Sequence, residues 1–199
     1  PGGARCGGAD RENAWVQKPC ASVRWSSVLR VGTWNVQTLN DALNDVQEQR
    51  QSLLSLDLEA AQLSLVAVQE CRWVDFEVGL SIGSYVWYGG GAWTNTIDHR
   101  NGGVLVGVHA GWGRAVEKHV HGKGTAAGRV QFVVLRGQRG RRVIFGSIYA
   151  PTNEAAEEVR EDFWRDVLDT LEVLKVTSRD VLIIAGDTNC ETGRSEVGQ

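Results

Sequence analysis

The chain has no methionine among its 199 residues and only three prolines. It begins at Pro1, and without an initiating methionine the expectation is a fragment or an incomplete gene model. The four cysteines, at positions 6, 20, 71 and 190, form no C-x-x-C pair, which argues against a zinc site. A chain of this length does not need a disulfide framework, so reduced thiols are expected. Long apolar runs are also missing. Residues 181–185 form one of the longest, far short of the ~20 residues that span a bilayer. No stretch has the pattern of a signal peptide. These absences predict a soluble, intracellular protein with no membrane partner. Neither sign of charge dominates: 21 Lys and Arg face 24 Asp and Glu, a net charge of -3. No global basic field therefore announces a nucleic acid, although a local basic groove suffices for phosphate contacts.

What is present is ordinary for one globular domain, with 42% hydrophobic and 23% charged residues. Residues 1–27 are Gly- and Ala-rich and then irregular, predicting a disordered leader before a domain over 28–199. Residues 28–35 read as a strand that ends at Asn35. Arg50, Leu53, Leu54, Leu58 and Ala61 follow at helical spacing, with Asp41 or Asn44 available as the cap. A short buried strand, 65–68, then runs into Gln69 and Glu70. Runs at 85–88, 104–108, 130–135 and 143–149 predict antiparallel sheet, the last two joined by a hairpin at Gly137-Gln138-Arg139-Gly140. Asn153 is expected to cap the next helix, whose acidic first turns suit the helix dipole. Val159, Phe163, Val167, Leu168, Leu171 and Leu174 are its expected buried stripe. Residues 181–185 form a last strand, ending at Gly186-Asp187.

The polar residues fall at one kind of place. Four apolar strands end in Asn35, Glu70, Tyr149 and Asp187, with Asn189 just beyond. Strand ends can aim side chains from distant sequence positions at a single point, and ligands of layered α/β folds bind there. Carboxylates with side-chain amides suit a hard cation held by oxygen and water, as Mg²⁺ is.

Thr33-Trp34-Asn35-Val36, Val68-Gln69-Glu70-Cys71-Arg72-Trp73, Ile148-Tyr149-Ala150-Pro151-Thr152-Asn153 and Gly186-Asp187-Thr188-Asn189 occur in that order. They resemble the successive motifs of the endonuclease/exonuclease/phosphatase superfamily, to which deoxyribonuclease I belongs. Gln-Glu-x-Arg-Trp and Tyr-Ala-Pro-Thr look most like the abasic-endonuclease-like domains of non-LTR retrotransposons. The resemblance implies an α/β four-layered sandwich of two mixed β-sheets flanked by helices. It implies Mg²⁺ as cofactor, with Mn²⁺ as the alternative, and DNA as substrate, in the nucleus for a retroelement endonuclease. By the same resemblance Glu70 is the principal metal ligand and Asn35 contacts the metal site. Asp187 orients or deprotonates the attacking water, Asn189 lies at the phosphate, and Tyr149 approaches a phosphate oxygen.

One part of the pattern has no counterpart. The family motifs continue to a Ser-Asp-His whose histidine serves the phosphate. Here only residues 190–199 follow Asn189, and His99, His109, His119 and His121 all precede Tyr149. The expectation is a chain that is inactive or nearly so by itself, with the second sheet incomplete and an open edge. A phosphoinositide or other phosphoester phosphatase is the rival within the superfamily, and a non-catalytic remnant is the rival outside it. Three smaller expectations concern neighbours of the site. Arg136, Arg139, Arg141 and Arg142 are read as a solvated hairpin rather than a DNA contact. Trp34, Trp87 and Trp164 are expected to pack, with Trp73 a candidate for the substrate groove. Cys71 and Cys190 are read as small buried residues, with an oxidation-sensitive pair as the sharper alternative.

Overall fold

A computed structural model describes residues 28–39, 44–73, 77–90, 93–94 and 100–189. The expected leader over 1–27 lies outside the described residues. In chain order the elements are β1 (Val31–Asn35), α1 (Asn44–Ala60), β2 (Leu65–Gln69), β3 (Leu80–Ile82) and β4 (Tyr85–Gly90). Next come β5 (Trp93–Thr94), β6 (Arg100–Asn101), β7 (Val104–His109), the single turn α2 (Ala110–Gly113) and β8 (Val116–His121). The chain continues through β9 (Val130–Arg136), β10 (Arg142–Tyr149), α3 (Glu157–Leu174) and β11 (Val181–Asp187).

Two sheets form. One has the order β1-β2-β7-β4-β3 and the other β11-β10-β9-β8, with β5 and β6 pairing separately. Both are mixed: β1 runs parallel to β2 and β11 parallel to β10, while the remaining pairs are antiparallel. β2 and β10 are buried along nearly their whole length, which is why their sequences read as continuous apolar runs rather than alternation. β8 escaped the sequence reading because Glu117, Lys118, His119 and His121 leave it mostly polar and exposed, as an edge strand should be.

Three apolar clusters separate the layers. Between the sheets lie Leu65, Ala67, Val106, Val108, Val133, Leu135, Val143 and Phe145. On the far side of the first sheet, Leu54 and Leu58 of α1 meet Val66, Val68, Tyr85, Trp87 and Leu105. On the far side of the second, Phe163, Val167 and Leu174 of α3 meet Phe132, Val134, Ile144 and Ile148. The layers therefore run helix, sheet, sheet, helix. This is the four-layered α/β arrangement that the motifs imply.

Several local expectations need correction. α3 starts at Glu157 with Ala156 at its cap position, so Asn153 does not cap it. Its buried stripe is Phe163, Val167, Thr170 and Leu174, at steps of four, three and four residues. Leu168 lies ~100° around the helix from Val167 and is exposed, as is Val159. Trp87 is buried, whereas Trp34 and Trp164 stay partly in solvent at 43% and 41% exposure. Trp73 packs against the cluster beneath α1 instead of facing a groove.

The arginine hairpin also divides. Arg136 makes an exposed pair with Glu117, but Arg142 is a clamp. It donates from Nε and Nη2 to the two Asp180 oxygens at 3.0 and 2.6 Å. It also donates to the Leu174 and Lys175 carbonyls, closing the C-terminal end of α3. This fork, with further bonds from Thr177, holds the Asp180 carboxyl well below the usual carboxylate range. A carboxyl depressed in the folded state contributes stability above its unfolded pKa near 4, lost as the pH falls through the folded value. Asp180→Asn should therefore cost about 1–3 kcal/mol at neutral pH. The difference between the two proteins should shrink in urea titrations as the pH falls below the unfolded value near 4.

Candidate active site

Two parallel pairings build the site. β1 against β2 sets Asn35 beside Gln69, one residue before Glu70. β10 against β11 sets Tyr149 directly beside Asp187. The two sheets then bring these pairs together at the carboxyl ends of their strands. The Asn35 side-chain amide donates from Nδ2 to Glu70 Oε1 at 2.8 Å and to Asp187 Oδ2 at 3.3 Å. Asn35 thus reaches a carboxylate 152 positions away in sequence. The amide oxygen of Asn35 accepts from the Gln37 N–H at 3.1 Å, which fixes which end of the amide faces the carboxylates.

Each functional side chain is tied from more than one direction. Glu70 Oε2 accepts from Arg72 Nη2 at 3.2 Å, and the carboxylate lies near enough to the Tyr149 hydroxyl to act on its ionisation. Burial raises the Tyr149 hydroxyl above its ordinary pKa, and the charge of Glu70 raises it further. Asp187 Oδ1 accepts from the Asn189 backbone N–H at 3.0 Å, while Asn189 Nδ2 donates to the Ala150 carbonyl at 2.7 Å. All five residues expected from the sequence (Asn35, Glu70, Tyr149, Asp187 and Asn189) therefore stand in one connected group. An open cleft of about 540 Å³ runs over it, lined by Thr33, Asn35, Asn153, Gly186, Asp187 and Asn189.

Beneath the site a buried polar network joins the sheets. Gln69 Nε2 donates to Ser147 Oγ at 3.0 Å, and Ser147 Oγ donates to the Val68 carbonyl at 3.1 Å. Thr33 Oγ1 completes it, donating to Gln69 Oε1 at 3.1 Å. Gln69 and Ser147 are essentially closed to solvent, so these bonds fix the registry of β2 against β10. Arg129 does a related service for Tyr149. Its guanidinium lies 5.3 Å from the ring centroid, donates to the Tyr149 carbonyl at 3.2 Å, and its own carbonyl accepts from the Tyr149 N–H.

Sequence reasoning missed Gln69, Ser147 and Arg129 as supports. The signal for the first two was a polar residue inside an otherwise apolar strand. Arg129 had none. Asn153, expected at a helix cap, instead lines the cleft. Cys71 is fully buried, and burial pushes its thiol up to about 12, so it is no reactive thiolate. Cys190 and His99 lie outside the described residues. Among the others, His109 Nδ1 accepts from Gly111 N–H at the start of α2, and His119 stacks near Tyr88. None lines the cleft.

The donor set can be weighed for a cation. Among the described residues no group of three or more His, Cys, Asp or Glu side chains gathers. Mg²⁺ is commonly held by one or two carboxylates with water in the remaining positions, and Glu70 with Asp187 fits that pattern. With its oxygen engaged by Gln37, Asn35 serves here as the donor that joins the two carboxylates.

No family model matches the chain. Among curated proteins it is similar to craniofacial development protein 2 of Bos taurus, 26% identical over 167 residues. The same protein of Tragulus javanicus is 25% identical over 167 residues. Each alignment covers 84% of this chain but only about a quarter of the relative. Among solved structures, the human Nocturnin catalytic domain with bound sulfate superposes with a TM-score of 0.57 and 19% identity. That match covers 82% of this chain and 64% of the other. An AP endonuclease from Archaeoglobus fulgidus gives 0.56 at 16% identity, over 86% and 62% of the two chains. A mannosyl-6-phosphatase of Bacteroides thetaiotaomicron gives 0.54 at 13% identity, over 84% and 68%. The chain has the deoxyribonuclease I-like fold.

Proposed function

We propose that the chain carries the front part of a Mg²⁺-dependent phosphodiesterase site of the retroelement DNA-endonuclease type. The observation that carries the reading is the Asn35 amide, which draws Glu70 of one sheet and Asp187 of the other to a common point. When bound at these carboxylates, the cation supplies charge neutralisation for a scissile phosphate. Asp187 orients the attacking water, its two oxygens already held by Asn35 and the Asn189 N–H. Asn189 spends one hydrogen of its side-chain amide on Ala150 and keeps the second for a phosphate oxygen. Tyr149, whose hydroxyl feels the charge of Glu70, approaches a phosphate oxygen when substrate arrives.

A feature beside the cleft favours a polynucleotide over a small phosphoester. An adjoining groove of about 280 Å³ shares Asn153, Thr188 and Asn189 with it and reaches the half-exposed Trp164, whose face suits a stacked base. The phosphatase reading rests on the shared fold, which a phosphatase also adopts.

The test is nicking of supercoiled plasmid by the chain extended through a Ser-Asp-His segment. Nicking should appear in Mg²⁺ and vanish in EDTA, while phosphate release from a phosphoinositide stays at background. Phosphoinositide turnover without nicking would replace the nuclease reading by the phosphatase one. Nicking that persists in EDTA would remove the metal from it.

A further inference from the structure

The segment that carries Glu70 is bent in an uncommon way. Glu70 and Arg72 both take left-handed backbone angles, with φ of 54° and 53°. For non-glycine residues such conformations are strained and persist only where surrounding bonds enforce them. Those bonds are present. The N–H groups of Cys71 and Arg72 donate to the Gly103 and Gly102 carbonyls at 3.1 and 3.0 Å, and the Cys71 carbonyl accepts from Leu39 N–H at 2.9 Å. Buried Cys71 anchors the turn between them. The consequence is local and chemical. In this turn the side chains of Glu70 and Arg72 are held together, with Arg72 Nη2 at 3.2 Å from Glu70 Oε2.

The pair is unequal in exposure. The Glu70 side chain is 18% exposed and the Arg72 side chain 41%, so the guanidinium forms the solvent side of the contact. A cation approaching Glu70 meets a carboxylate oxygen already occupied by a positive charge. Arginine is also the residue whose planar fork matches phosphate geometry.

We infer that Arg72 is a displaceable counter-charge: it holds Glu70 in the metal-free protein, yields Oε2 to the incoming divalent cation, and then turns its guanidinium to a phosphate of the nucleic acid. The inference rests on the metal-site reading above and goes beyond it. Arg72 is thus a positioning residue for Glu70 and a substrate contact in the loaded state. It makes metal and phosphate binding mutually supportive, since the guanidinium leaves Glu70 only once the cation is in place.

Calorimetric titration of Mg²⁺ into the 199-residue chain tests this without requiring turnover. Arg72→Ala should bind Mg²⁺ about 3- to 10-fold more tightly than the wild type, because a competing cation is gone; the range is that of a modest, partly exposed ion pair. Binding of a fluorescent DNA duplex, followed by anisotropy, should strengthen on adding Mg²⁺ in the wild type and lose most of that gain in Arg72→Ala. A merely structural role would weaken both ligands together. If Arg72→Ala does not fold, Arg72→Gln carries the same expectation, since it keeps the stem without the charge. Mg²⁺ binding that Glu70→Ala abolishes but the Arg72 variants leave unchanged or weaken would overturn the inference alone. Absence of any Mg²⁺ binding sensitive to Glu70→Ala would overturn the metal-site reading and the inference with it.

Discussion

Glu70→Ala is expected to abolish metal-dependent cleavage, by about 10³-fold or more, while leaving the fold intact. The Glu70 carboxylate accepts from Asn35 and Arg72, and its charge acts on the Tyr149 hydroxyl. Removing it deprives a bound cation of its main anchor, and a Lewis acid's stabilisation of phosphoryl charge is worth several kcal/mol. At 1.36 kcal/mol per factor of ten, that loss gives the stated range. The apolar clusters do not involve this side chain, so thermal unfolding should move little. The measurements are the plasmid-nicking rate of the extended chain and Mg²⁺ titration of the 199-residue chain. Nicking within tenfold of wild type would show that the cation is held elsewhere.

Gly186→Ala should be the most damaging single methyl in the molecule. Gly186 pairs with Ile148 where β11 runs beside β10, with φ of 149°, a conformation that side chains rarely allow. A Cβ there would sit 2.0 Å from the Ile148 carbonyl oxygen. That neighbour is backbone inside a sheet and cannot rotate away. Relief requires β11 to separate from β10, which moves Asp187 off Tyr149 and away from Asn35. A loss of at least about 4 kcal/mol in urea unfolding is expected, at the diagnostic end of single substitutions. Gly79→Ala is the internal comparison. Its φ is 87°, yet nothing lies within 4 Å of the added carbon. Only conformational strain remains there, and the expected cost is about 1 kcal/mol. Similar losses at the two positions would show that backbone strain, rather than the contact with Ile148, sets the effect.

These two expectations differ in how far each could be foreseen. Glu70 was legible because β2 is buried along its whole length, so a charged residue directly after Leu65–Gln69 stands out. Asp187 was legible as a charged residue closing the apolar run of β11, although that strand is exposed or half-buried throughout rather than buried. The damage at Gly186 was not. Its cause is the carbonyl of Ile148, 38 positions earlier, and only the parallel pairing of β10 with β11 brings the two together. Arg142 shows the same limit from the other side. In sequence it is one of several arginines near a turn, and only the packed structure gives it Asp180 and the end of α3.

By itself the sequence determined what depends on local periodicity and order along the chain. Apolar runs of strand length, a helix with an apolar stripe, and polar residues at strand ends are all properties of neighbours in sequence, and the four motifs inherit their order from them. The tertiary structure decided everything that depends on distance across the molecule. It placed the two sheets so that Asn35 reaches Asp187, folded Arg72 back on Glu70, and buried the Gln69–Ser147 bridge. It also moved the start of α3 past Asn153, leaving that residue in the cleft. The physical reason is the same throughout. Hydrogen bonds and charge pairs act over a few ångströms in space, and separation along the chain, 152 residues between Asn35 and Asp187, does not enter their energy.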